Sequence, residues 1–132
     1  MDSNQLFKPT QGTKLGLILL NYEFNPILLE HFWSKCAWKI CADGAGNRLY
    51  KMDREKRPDC IVGDLDSLKP SVRRYYEVRG SEIVVRKDQN DHDFTKACRL
   101  LSEKVGSRSL DYTVVLGGLG GRLDHFFTYP SS

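Results

Sequence analysis

Lys14-Leu15-Gly16-Leu17-Ile18-Leu19-Leu20-Asn21 is an almost unbroken apolar run that ends on a polar amide. A strand with one face in water alternates apolar and polar residues, whereas a run like this belongs to a strand covered on both faces. Sheets covered on both faces are usually parallel, because the helices that connect parallel strands supply the cover. The run therefore predicts an α/β fold, and the rest of the chain has the alternation that such a fold needs.

Asn25 can cap a helix that begins at Pro26 and carries Ile27, Leu28, His31 and Phe32 on one side. Ala37 to Ala42 predicts a second strand, Asn47 to Met52 a helix, and Cys60 to Val62 a third strand. Ser67 is the expected cap of a helix carrying Val72, Tyr75, Tyr76 and Val78 and stopping at Gly80. Glu82 to Arg86 predicts a fourth strand. Asp93 to Val105 is the clearest helix, with Phe94, Ala97, Leu100, Leu101 and Val105 at helical spacing and Asp93 as its N-cap. Asp111 to Leu116 predicts a fifth strand. Strands alternating with helices give an open, doubly wound, mostly parallel sheet with helices on both faces.

Composition bounds the function classes. The chain has 132 residues, 40% of them hydrophobic and 28% charged, as expected of one globular domain. No apolar run approaches the roughly 20 residues of a membrane-spanning helix. Twenty basic against seventeen acidic side chains give +3, too little to argue for nucleic acid. Cys36, Cys41, Cys60 and Cys98 show neither zinc-ligand spacing nor a disulfide framework, and Met1 to Thr13 is polar without a signal-peptide core. A reducing, cytoplasmic setting is the expectation. Cys41, Cys60 and Cys98 fall in apolar patterns as core residues, and Trp33 and Trp38 are expected to pack.

Every polar, glycine-rich break follows a strand, so all of them should meet on one sheet edge, where open α/β sheets bind ligands. In Gly63-Asp64-Leu65-Asp66-Ser67, two carboxylates two residues apart suit Mg2+, provided that the backbone is extended and projects both to one side. Turn chemistry explains the same residues without a metal. Asp93 either caps its helix or faces a metal, and Thr95 and Lys96 in the first turn can meet phosphate oxygens. The loop Gly117-Gly118-Leu119-Gly120-Gly121-Arg122-Leu123-Asp124 offers unobstructed backbone N–H groups, with Arg122 for phosphate and Asp124 for a metal or hydroxyl. It can equally be a flexible glycine turn. Neither a complete G-x-G-x-x-G nor a Walker-type sequence is present.

Taken together, Ala42-Asp43-Gly44-Ala45-Gly46-Asn47-Arg48-Leu49-Tyr50, Gly63 to Ser67, Asp93-Phe94-Thr95-Lys96 and Gly117 to His125 resemble the catalytic half of thiamin pyrophosphokinase. That resemblance implies Mg-dependent transfer of pyrophosphate from ATP to thiamin, giving thiamin diphosphate and AMP, by a homodimer. Carried over position by position, it implies Asp64, Asp66 and Asp93 as Mg2+ ligands, with Asp43 and Asp124 completing the acidic site. Lys96 and Arg122 would neutralise phosphate. Asn47, Ser67, Gln89, Thr95, Gly118, Gly120 and Gly121 would line the nucleotide site.

The family continues into a β-rich second domain. Here residues 1–13 are expected as a polar extension, 14–125 as the catalytic domain and 126–132 as a divergent tail, with Pro130 opposing a helix. Two other readings stay open. One is a nucleotide-binding remnant that pairs with a full-length subunit without turnover. The other is a haloacid-dehalogenase-like phosphatase, to whose strand-then-D-x-D pattern Ile61 to Ser67 is similar.

Overall fold

The computed structural model describes residues 14–87, 92–105 and 110–117, and the backbone of 126–130. The elements in chain order are β1 (Leu15–Leu19), α1 (Pro26–Trp33), β2 (Cys36–Ala42), α2 (Ala45–Asp53) and β3 (Cys60–Gly63). They continue as α3 (Pro70–Val78), β4 (Glu82–Val85), α4 (Asp93–Val105), β5 (Tyr112–Leu116) and β6 (Phe126–Pro130). One sheet has the order β4-β3-β2-β1-β5-β6. Strands β1 to β5 pair in parallel, and β6 pairs antiparallel with β5. The mostly parallel α/β sheet predicted by the apolar run is therefore present.

All five residues of β1 are buried, as expected of a central strand covered twice. Alternate residues feed two cores. Leu15, Leu17 and Leu19 pack with Leu29 and Phe32 of α1, Leu49 of α2 and Tyr76 of α3. Ile18 and Leu20 lie on the other face, with Ala97, Leu100 and Leu101 of α4. Right-handed crossovers produce this layout when the chain grows outward from β1 to β4 and then returns to place β5 on β1's free side. The reversal leaves a switch point between the C-terminal ends of β1 and β5.

Local chemistry sets the boundaries. Asn25 caps α1 by accepting a hydrogen bond from the Ile27 N–H at 2.7 Å, and Pro26 opens the helix. Ile27 itself is 70% exposed, and Leu29 takes its place in the core. The helix carrying Tyr76 starts at Pro70 with Lys69 as its N-cap, so Ser67 does not cap it. Val78 lies on its exposed side, and Gly80 ends it at φ +100°. Helix α2 begins two residues earlier than its apolar pattern suggests. Its glycine serves close packing here: a Cβ on Gly46 would lie 2.9 Å from Leu68 Cδ1.

Cys36, Cys41 and Cys60 are buried free thiols and Cys98 is half-buried. Trp33 and Trp38 pack at the rims of opposite cores. Residues 126–130, which the sequence sets apart as a tail, extend the sheet. Pro130, opposite Tyr112, sits on an edge strand, where the missing N–H is tolerated.

Candidate active site

The C-terminal ends of β2 and β3 are drawn together around one carboxylate. Asp43 follows β2 directly, and its N–H donates to Val62 O at 2.8 Å, prolonging the pairing with β3. Its backbone is left-handed, at φ 47°, and its side chain is buried. Gly63 ends β3 at φ +146°, and a Cβ there would stand 3.1 Å from Asp43 Cβ. The aspartate therefore lies over a position kept free of side-chain bulk.

Beyond Gly63 the chain does not stay extended. Leu65 adopts φ 67°, and the Asp66 N–H donates to Asp64 Oδ1 at 3.1 Å. The extended geometry expected to project Asp64 and Asp66 to one side is thus replaced by a turn, and Asp66 is exposed. Left-handed φ at a leucine is costly and persists only where the surroundings impose it. Here the loop is held at several points. The Ser67 N–H donates to Asp43 Oδ1 at 3.2 Å, and Leu68 is buried against α2.

The carboxyl groups of Asp43 and Asp64 lie close enough to shift each other's ionisation in opposite directions. Burial pushes Asp43 up to about 7, and the hydrogen bond to Asp64 and the charges of Asp64 and Asp93 act in the same direction. Asp64 is held below the usual carboxylate range, first by that hydrogen bond, then by the Asp66 N–H, with help from the charges of Lys96 and Lys87. The two carboxyl groups are thus driven apart, the buried Asp43 toward holding its proton and the more exposed Asp64 toward ionisation.

Helix α4 brings the cationic side of the site. Lys96, in its first turn, is 7% exposed, and Thr95 beside it is half-buried. The Lys96 N–H bonds His92 O at 3.0 Å, so His92 holds the cap position and Asp93 lies inside the first turn. Asp93 is half-buried, and its charge reaches Asp43.

Two further residues meet beside the site, one following β1 at the switch point and one from α2. Asn21, which ends the decisive apolar run, accepts a hydrogen bond from Arg48 Nε at 3.0 Å. Neither was singled out from sequence, and the only signal was a polar amide closing an apolar strand. Asn47, next to Arg48, bonds the acidic loop. Gln89, Gly118, Gly120, Gly121, Arg122 and Asp124 lie outside the described residues.

The donor set can be weighed against a divalent cation. Among the described residues, no three His, Cys, Asp or Glu side chains gather at metal-holding range, so Asp64, Asp66 and Asp93 do not form a closed trio. Mg2+ rarely needs one, since it commonly takes one or two carboxylates and completes its shell with water and substrate phosphate. Two carboxylates brought together at the ends of β2 and β3, within the field of Asp93, fit that requirement.

The model of the family described as thiamin pyrophosphokinase, catalytic domain, matches residues 29–130. Thiamine pyrophosphokinase 3 of Oryza sativa subsp. japonica is 32% identical over 130 residues, covering 86% of this chain and 48% of the relative. Thiamine pyrophosphokinase of Saccharomyces cerevisiae is 34% identical over 112 residues, covering 77% and 35%. Among solved structures, yeast thiamin pyrophosphokinase superposes with a TM-score of 0.70 at 32% identity, over 82% of this chain and 37% of that one. The Candida albicans enzyme gives a TM-score of 0.63 at 37% identity, over 73% and 34%. The chain thus spans half or less of the length of these relatives.

Proposed function

The chain belongs to the thiamin pyrophosphokinase catalytic-domain family, and from that premise we propose that it holds Mg-ATP for transfer of pyrophosphate to thiamin. The Asp43–Asp64 carboxyl pair at the sheet's C-terminal edge carries the proposal, with Lys96 in electrostatic range of Asp64. Phosphoryl-type transfer depends on positioning and charge neutralisation more than on a covalent nucleophile, and these are the groups it uses.

Asp64 and Asp43 would hold Mg2+, with Asp93 beside them, and the ion would neutralise charge on the ATP phosphates. Lys96 meets a phosphate oxygen, assisted by the N–H groups that open α4. Thr95 supplies a hydroxyl in the same turn. Gln89, Arg122, Asp124 and the glycines of their loop are proposed to close the nucleotide site. A homodimer, or pairing with a full-length subunit, is proposed to complete the acceptor site. The buried free thiols fit a reducing compartment. Among the described residues, no helix is long and apolar enough to cross a membrane.

The test is ATP binding by the purified chain with and without Mg2+, followed by thiamin diphosphate formation from thiamin and Mg-ATP. Mg-dependent ATP binding that is lost in Asp64→Ala supports the proposal. Product that disappears in the same variant extends it to turnover. A folded chain that ignores Mg-ATP overturns it, and hydrolysis of a simple phosphate ester without ATP favours the phosphatase-like reading.

A further inference from the structure

Asn47 makes two hydrogen bonds with one amide. Its Nδ2 donates to Ser67 O at 2.7 Å, and its Oδ1 accepts from the Lys69 N–H at 3.0 Å. A primary amide joined to the carbonyl of one residue and the N–H of the second residue after it pairs with the backbone as another peptide unit would. Both of its hydrogen-bonding functions are engaged within the protein.

The residues on either side of this clamp explain its consequence. Ser67, whose carbonyl Asn47 holds, donates its own N–H to Asp43 Oδ1. Leu68, between the two clamped residues, packs where a Cβ on Gly46 would intrude. Lys69 is the N-cap of α3, so the same amide fixes where that helix starts. The acidic loop carries a left-handed Leu65, a conformation that the rest of the protein must impose.

We propose that Asn47 is a positioning residue, which braces the loop Asp64–Lys69 so that Asp64 meets Asp43 in the geometry that takes a divalent cation. This rests on the metal-holding reading above. It departs from the expectation that Asn47 touches the nucleotide. Asn47 also lines a cavity of about 340 Å3 with Arg48, Lys51 and Lys69, so direct ligand contact is the competing role, and the test separates the two.

Mn2+ serves as the probe, read by loss of its free-ion electron paramagnetic resonance signal. Backbone hydrogen exchange is followed without metal, and ATP binding is measured with and without Mn2+. In Asn47→Ala, Mn2+ affinity should fall at least tenfold, the range seen when partners of metal ligands are removed. Exchange at residues 64–69 should accelerate while Ile61 and Val62 stay protected, and metal-free ATP affinity should not change.

Leu29→Ala, a core truncation on α1, controls for general destabilisation and should leave Mn2+ affinity unchanged. Asn47→Asp keeps the acceptor for Lys69 and loses the donor to Ser67, so it should fall between, and it carries the comparison if Asn47→Ala does not fold. Equal Mn2+ affinity in wild type and both variants overturns the positioning role alone. An equal loss of ATP binding with and without Mn2+ overturns it in favour of direct contact. A wild-type chain that binds no Mn2+ either alone or with ATP overturns both the metal-holding reading and this role.

Discussion

Asp43 and Asp64 sit at the ends of neighbouring parallel strands with their carboxyl groups in contact range, Asp43 buried and pushed up to about 7, Asp64 more exposed and held below the usual carboxylate range. Two carboxylates in such contact cannot both be charged without a cation. The fold holds them there regardless. Asp43 is pinned by backbone pairing to Val62 and by the Ser67 N–H, and Asp64 by its bond to the Asp66 N–H.

The pair makes stability depend on pH in a direction that can be worked out. The folded-state value of Asp43, about 7, lies above the ordinary carboxylate value of 3.8. Between these limits the folded state binds more protons than the unfolded state, so stability falls as pH rises. In EDTA, the urea midpoint of the wild type should decline between about pH 4 and pH 7. Asp43→Asn, which needs no proton, should flatten that decline. At pH 7.5, Mg2+ should raise the wild-type midpoint more than that of the variant. A wild-type midpoint that rises across the window would contradict the raised value of Asp43.

Tyr76 offers a test of the core alone. It is fully buried on α3, and its hydroxyl has no hydrogen-bond partner among the described residues. Its ring packs edge-on against Tyr75 and Tyr50, with centroids 5.3 and 6.3 Å apart. Tyr76→Phe keeps those contacts and removes an unsatisfied polar group, so it should stabilise by about 1 kcal/mol. Thermal unfolding should shift upward by a few degrees. A lower melting temperature would mean that the hydroxyl has a bond.

Most of the fold was legible because one property, continuous apolarity at Leu15 to Leu20, has one common structural cause. The span of helix α4 was legible because its periodicity runs over thirteen positions, but its cap was not, since His92 and not Asp93 precedes the first turn. The misplacements came where tertiary contact overrides local pattern. Ile27 looks like a core residue and is exposed, since the sheet lies on the side of Leu29. Ser67 looks like a cap, yet its N–H is committed to Asp43 and Pro70 starts the helix. In the site, the D-x-D spacing drew attention to Asp64 and the first turn of α4 to Lys96, whereas Asp43 entered only through the family resemblance. The extended D-x-D expectation fails at the left-handed Leu65, which no local sequence rule demands. Asn21 was missed because its partner Arg48 is 27 residues away.

Gly117 should tolerate no side chain. It follows β5 at the switch point with φ +74°, and a Cβ there would lie 2.5 Å from Leu20 O and 3.0 Å from Tyr22 O. Both obstacles are backbone, and Leu20 is tied to β5 by its own hydrogen bond to Leu116 O. Gly117→Ala combines a left-handed strain with an overlap that nothing can swing away from. It should destabilise by about 2–4 kcal/mol, measured by urea unfolding. A loss under about 1 kcal/mol would show that the β1 and β5 ends separate readily.

Lys96 separates stability from function. A lysine this deeply buried is costly to keep charged, and the fold gains little from it unless the charge acts on something. It acts on Asp64, helping to keep that carboxylate ionised. Lys96→Met keeps the length and apolar stem of the side chain and removes the charge, so the cost of burying an ammonium group disappears as its attraction to Asp64 is lost. The two effects oppose, and the unfolding free energy should change by no more than about 1 kcal/mol. The proposed binding of Mg-ATP would not have that compensation, because there the phosphate would lose the cation at the opening of α4. Affinity should fall at least tenfold, about 1.4 kcal/mol, by titration calorimetry. The loss should be smaller at high salt, where the wild type loses part of the same attraction. Unchanged Mg-ATP affinity in a folded Lys96→Met chain would remove Lys96 from the nucleotide site and leave it a structural partner of Asp64.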